Sequence, residues 1–266
     1  GEAFYSSLGF APLPKTFWER SMLERPRDRE VTCHASAWNV NDRDDIRIKA
    51  CFKVNADDFY TVHHELGHNY YQRAYSAQPY LFKGSANDGF HEAVGDLAGM
   101  SALTPTYLNQ IGLLEKVPGA EEDIPYLLKM ALDKIAFLPF GLMIDKWRWQ
   151  VFSGQVDEAH YNEAWGKLRG QYQGLAPPGP RPADAFDPAA KYHIAASVHY
   201  MRYFLAFNYE FQFQRAACKQ MGWKGPLHRC SLYGRKDVGE KLNAMLELGN
   251  SQPWQETLKV YSGETR

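Results

Sequence analysis

The stretch TVHHELGHNYYQ, residues 61–72, constrains this chain more than any other. It places His63, His64, Glu65 and His68 within six positions. On a helix, His64 and His68 stand at i and i+4, one turn apart on one face. Two imidazoles so spaced can reach one Zn²⁺. A catalytic zinc takes three protein ligands and keeps one position open. A second element must therefore come close to this helix and supply the third donor. Glu65, next to His64, would lie beside the metal and take a proton from an activated water. His63 points to a different part of the helix surface and is given no role.

The third donor is expected from GFHEAVGDLAG, residues 89–99. Glu92 follows His68 by 24 residues, and Asp96 stands at i+4 from it. Both carboxylates then share one helical face. Gly95 and Gly99 lie close to that face and would let another helix approach. Two acids on such a face are costly to bury without a cation. Glu92 is the expected ligand. Asp96 is expected to accept the second N–H of a ligand histidine and fix its orientation. A merely solvated polar face is the alternative, and the second acidic helix weighs against it.

The rest of the chain reads as mostly helical. Helical patterns cover 55–76, opened by Asn55, Asp57 and Asp58, and 88–103, opened after Asn87. Further patterns cover 123–137, stopping near Pro139, then 140–154, 157–175, 196–222 and 234–249. The segment 30–54 differs: two short extended runs flank the polar NVNDRDD, a β-hairpin pattern. The Pro-rich break at 176–182 is short and reads as a surface loop within one domain spanning 1–266.

The 266 residues carry a formal net charge of −1, which gives no electrostatic case for nucleic acid or an anionic membrane. No apolar run approaches the ~20 residues needed to cross a bilayer. The longest candidate, residues 130–144, contains Asp133, Lys134 and Pro139 and reads as a buried helix. The N-terminus lacks the pattern of a signal peptide and starts as if in mid-domain, so the chain is expected to be a piece of something longer. Cys33 and Cys51, and Cys218 and Cys230, form two local pairs. Either two small-loop disulfides or four buried thiols would account for them, because connectivity does not follow from sequence.

HHELGH, GFHEAVGD, CHASAW, KMALDKIAFLPFG, DKWRWQVF, QYQGL, FDPAAKYHI and YMRYF occur in this order. In these motifs, across almost its whole length, the chain resembles the angiotensin-converting enzyme family, including its bacterial members. The resemblance implies the C-terminal, zinc-bearing half of a two-subdomain helical gluzincin that releases dipeptides from the C-terminus of oligopeptides. A short hairpin would lie beside the active site, and the N-terminal half would be a missing partner. By the same resemblance His64, His68 and Glu92 are the zinc ligands, Glu65 the general base and Asp96 their support. His34 and Ala35 would hold the substrate backbone. Lys191 and Tyr200 would bind its terminal carboxylate, and His193 and Tyr203 would stabilise the tetrahedral intermediate. Chloride would be a second cofactor, held by Arg202 at one site and by Trp165 and Arg169 at another. Cys33–Cys51 and Cys218–Cys230 would be disulfides, in an extracellular or periplasmic protein.

Two stretches depart from the commoner family sequence. HIAASVHYMRYF stands for HIPSSVPYIRYF, so two prolines are lost and His199 adjoins Tyr200. SANDGFHEA stands for GANPGFHEA, with Asp88 in place of Pro. Two other readings stay open: a zinc-stabilised interaction module without catalysis, and a zinc aminopeptidase. The second lacks any G-x-M-E-N-type stretch here.

Overall fold

A computed structural model describes residues 1–182 and 184–265. Helices α1 (Glu2–Ser7) and α2 (Lys15–Arg20) precede the antiparallel hairpin β1 (Ser36–Asn39) and β2 (Ile46–Lys49). Then come α3 (Ala56–Ala74), α4 (Asp88–Ala102), α5 (Pro105–Gln110), α6 (Asp123–Phe152), α7 (Tyr161–Gln173) and α8 (Tyr192–Ala195). Last are α9 (Met201–Gln220), α10 (Lys236–Leu246) and α11 (Trp254–Ser262). The fold is mostly helical, with one short hairpin among the described residues. The chain divides into two compact units, 1–119 with 208–266, and 120–207; the boundary falls inside α9.

In the first unit α3 and α4 form the central pair. Asn55 caps α3 by accepting from the Asp58 amide at 2.7 Å, and Asn87 caps α4 by accepting from the Gly89 amide at 2.9 Å. The two helices touch through glycine. A Cβ on Gly67 would stand 2.7 Å from the Gly95 Cα, and one on Gly95 would stand 2.8 Å from His64 Nδ1. Only glycine on both helices permits that approach. Around them Phe4, Tyr5, Tyr70, Tyr71, Phe90 and Phe213 are buried. The hairpin pairs Ser36 with Lys49 and Asn39 with Ile46. It is held to α3 by Asn69, whose amide donates to the Arg47 carbonyl at 3.3 Å. Disulfides join Cys33 to Cys51 and Cys218 to Cys230. The first closes the two ends of the hairpin segment.

The second unit packs α6 and α7 around Met143, Ile144, Trp147, Trp165, Leu168 and Tyr200. Sequence patterning predicts a break at Pro139, yet α6 runs unbroken from Asp123 to Phe152. Proline removes one backbone donor there, but Phe137, Phe140, Met143 and Ile144 on both sides of it belong to or pack against one core. The stretch 130–144, expected as a buried helix, is buried toward its C-terminal end at Gly141, Met143 and Ile144, but the N-terminal half of α6 is largely exposed. Ile124, Leu128, Leu132 and Ile135 are 59–72 % exposed, while Lys134 is buried with its ammonium 3.9 Å above the Phe207 ring. The helix expected over 196–222 begins only at Met201. Residues 192–195 instead form α8, followed by a turn at Ser197 with φ of 56°. The Pro-rich stretch 176–182 contains no helix or strand; Ala183, inside the same breaker region, lies outside the described residues. No described helix is long and apolar enough to cross a membrane.

Candidate metal centre

The caps on α3 and α4 and the glycine contact set the register in which the two helices face each other. That register brings His64, His68 and Glu92 together as a set of metal-capable donors. His64 Nε2 and His68 Nε2 are 3.1 Å apart, and Glu92 Oε2 is 3.3 Å and 3.5 Å from them. A tetrahedral cation with bonds of about 2.0–2.1 Å separates its ligands by about 3.3 Å, so this triangle has the size zinc requires. The chemistry also fits: two imidazoles and a carboxylate are a common catalytic zinc set.

Charge is concentrated here. Burial works against the His64 imidazolium, but Asp96 and Glu92 outweigh it and raise its pKa well above the ordinary value. Burial likewise works against the Glu92 carboxylate, yet His68 and His64 hold its pKa far below the usual carboxylate range. Asp96 Oδ1 lies 2.8 Å from His64 Nδ1 and accepts the Tyr60 hydroxyl at 2.7 Å. Tyr60 stands one turn before His64 on α3, a contact the sequence does not single out. Its spacing was visible, but an aromatic at that position is usually core. His68 meets a second residue that sequence did not single out: His68 Nδ1 and His91 Nδ1 are 3.1 Å apart.

Glu65 is buried, and its Oε2 has no hydrogen-bond partner. A buried acceptor with no protein partner is uncommon and can accept from a water or substrate group. A cavity of about 400 Å³ opens at this point, lined by Glu65, His64, Asp96 and Tyr60 together with His34 and Ala35. His34 itself is exposed. His63, in contrast, faces away into the core. It is fully buried, its Nδ1 is 2.7 Å from the Phe59 carbonyl, and burial pushes its pKa down to about 4.

The other expected site residues lie in the second unit. His193, Tyr200 and Tyr203 cluster with ring centroids 4.8–5.2 Å apart. The Lys191 ammonium sits 5.2 Å from the Tyr200 ring centroid, and partial burial lowers its pKa. Trp165, Arg169 and Lys191 line one cavity of about 480 Å³, with Phe140, Arg181 and Asp187. Arg202 lies in the first turn of α9 and does not line that cavity.

The family model described as angiotensin-converting enzyme matches residues 1–266. Over 264 residues the chain is 51% identical to the angiotensin-converting enzyme of Rattus norvegicus, covering 98% of this chain and 20% of that protein. It is 50% identical to the Bos taurus protein over 264 residues, with the same coverage. The protein of Haematobia irritans exigua is 45% identical over 272 residues, covering 99% of this chain and 44% of that protein. The chain thus spans about a fifth of the mammalian relatives' length and less than half of the insect relative's.

Proposed function

The chain belongs to the angiotensin-converting enzyme family, and from that premise we propose that it is the zinc-bearing portion of a peptidyl-dipeptidase. The observation that carries this reading is the His64, His68 and Glu92 triangle, with Glu65, whose Oε2 has no hydrogen-bond partner, lining a cavity with His64. When bound there, zinc would polarise the scissile carbonyl and acidify the attacking water. Glu65 Oε2 takes the proton from that water and delivers it to the departing amine. Asp96 keeps the His64 ring oriented, with Nε2 toward the cation.

His34 and Ala35 hold the substrate backbone, as an extended segment offers N–H and C=O groups to a peptide. His193 and Tyr203 donate to the developing oxyanion. Lys191 and Tyr200 bind the terminal carboxylate of the peptide. The Lys191 ammonium lies 5.2 Å from the Tyr200 ring centroid and burial lowers its pKa, which supports this assignment. Chloride would bind at the cavity of Trp165 and Arg169, and a second at Arg202. The two disulfides favour an oxidising compartment, extracellular or periplasmic.

The missing partner is the N-terminal half of the same protein. Its need is supported by the short coverage of the relatives and by the exposed apolar stripe Ile124, Leu128, Leu132 and Ile135. That stripe also favours a second reading, in which residues 1–266 alone bind zinc without turning over peptide. Both are tested by incubating the full-length protein and this chain with an oligopeptide and weighing the products. The full-length protein should release successive C-terminal dipeptides, and Glu65→Gln should abolish release while retaining zinc. Release of single residues, or internal cleavage alone, would contradict the proposal.

A further inference from the structure

Asp145 and Arg148 sit one turn apart on α6, each only 7 % exposed. Their mutual contact is 3.3 Å, yet their strongest bonds go elsewhere. The Arg148 guanidinium donates through Nη1 to the Val198 carbonyl and through Nη2 to the His193 carbonyl. Asp145 Oδ2 accepts from the Tyr200 amide at 3.0 Å and the Met201 amide at 2.6 Å. One acid–base pair thus satisfies two carbonyls and two amides of the segment 193–201.

That segment needs holding. It contains only the four-residue α8 and a turn at Ser197 in the left-handed region, which is unfavourable for a residue with a Cβ. The first amides of α9 have no partner within the helix, and a buried carboxylate at that end is the favourable one. The planar guanidinium can grip two carbonyls at a set separation, which an ammonium cannot.

We infer that Asp145 and Arg148 are positioning residues that hold His193 and Tyr200 in register, without touching substrate themselves. This rests on the reading of Lys191 and Tyr200 as the carboxylate site. If that register is what recognises the C-terminal carboxylate, loosening the pair should erode discrimination between acid and amide substrates. A merely structural role would instead lower the amount of active protein and leave discrimination intact.

The test uses the full-length enzyme and matched peptides ending in a free acid or an amide. The quantity read is the ratio of the two kcat/KM values, which does not depend on the active fraction. The parent should favour the acid by about a hundredfold or more. Arg148→Lys keeps the charge beside Asp145 but loses the fork, and Asp145→Asn keeps an acceptor but loses the charge. Each should reduce the ratio at least fivefold, with zinc content unchanged. Acid and amide rates that fall in parallel, leaving the ratio within twofold of the parent in both variants, would overturn the inference. A parent with no acid preference would overturn the carboxylate reading first, and the inference with it.

Discussion

Removing the Asp96 carboxylate should weaken zinc binding without removing a ligand. Asp96 is 5 % exposed, and one oxygen serves both His64 Nδ1, at 2.8 Å, and the Tyr60 hydroxyl, at 2.7 Å. With zinc on His64 Nε2, the Nδ1 proton must point at this oxygen, so the carboxylate fixes the tautomer and makes Nε2 a stronger donor. Loss of such a partner weakens affinity by roughly 10–100-fold, or about 1.4–2.7 kcal/mol. Asp96→Ala should fall near the upper end, because it also removes the acceptor of the Tyr60 hydroxyl bond. Asp96→Asn retains an acceptor and loses only the charge, so about tenfold is expected. The assay is a competition titration against a chelator of known affinity, at fixed pH, with His64→Ala as the reference for a lost ligand. An Asp96→Ala affinity within twofold of the parent, beside a His64→Ala variant that loses its metal, would refute the reasoning.

Three further outcomes follow from the same contacts. Gly95→Ala should drive a methyl group into His64, cost about 1–3 kcal/mol by overpacking, and lower zinc affinity; urea unfolding and the chelator titration read both. Opening the Cys33–Cys51 bridge by Cys51→Ser should cost about 3 kcal/mol for a loop of this size, read as a lowered unfolding midpoint. Asp45 is held down to about 2, first by its bond to Arg47; burial, the next-largest effect, opposes this, and the bond to Arg20 then adds to the lowering. A carboxylate with a depressed folded-state pKa stabilises above the unfolded value and loses that contribution as pH falls through the folded value. The stability gap between the parent and Asp45→Asn should therefore be full above about pH 4 and shrink toward pH 2. A gap that does not narrow over that range would contradict the assignment.

Local signals carried most of the fold. Asn55 and Asn87 marked the starts of α3 and α4 because capping is decided within three residues, and NVNDRDD marked the hairpin for the same reason. The convergence of His64, His68 and Glu92 was readable from i, i+4 spacing plus an acidic helix with glycines on its contact face. What escaped the sequence was decided at a distance. Pro139 does not end α6, because one core holds the helix on both sides of it. The start of α9 at Met201 depends on Asp145, 56 positions earlier. The short helices α1, α2, α5 and α11 carry too few turns for a periodic signal. Tyr60 and His91 gain their contacts to Asp96 and His68 only once α3 and α4 pack together.

The central claim is that α3 and α4 together build a zinc site, and metal analysis of the full-length protein tests it most directly. Protein purified without chelator or added metal should carry one zinc per chain. His64→Ala and Glu92→Ala should each lose it, while Glu65→Gln should keep it. A parent free of zinc, or zinc retained at full stoichiometry in both ligand variants, would contradict the account.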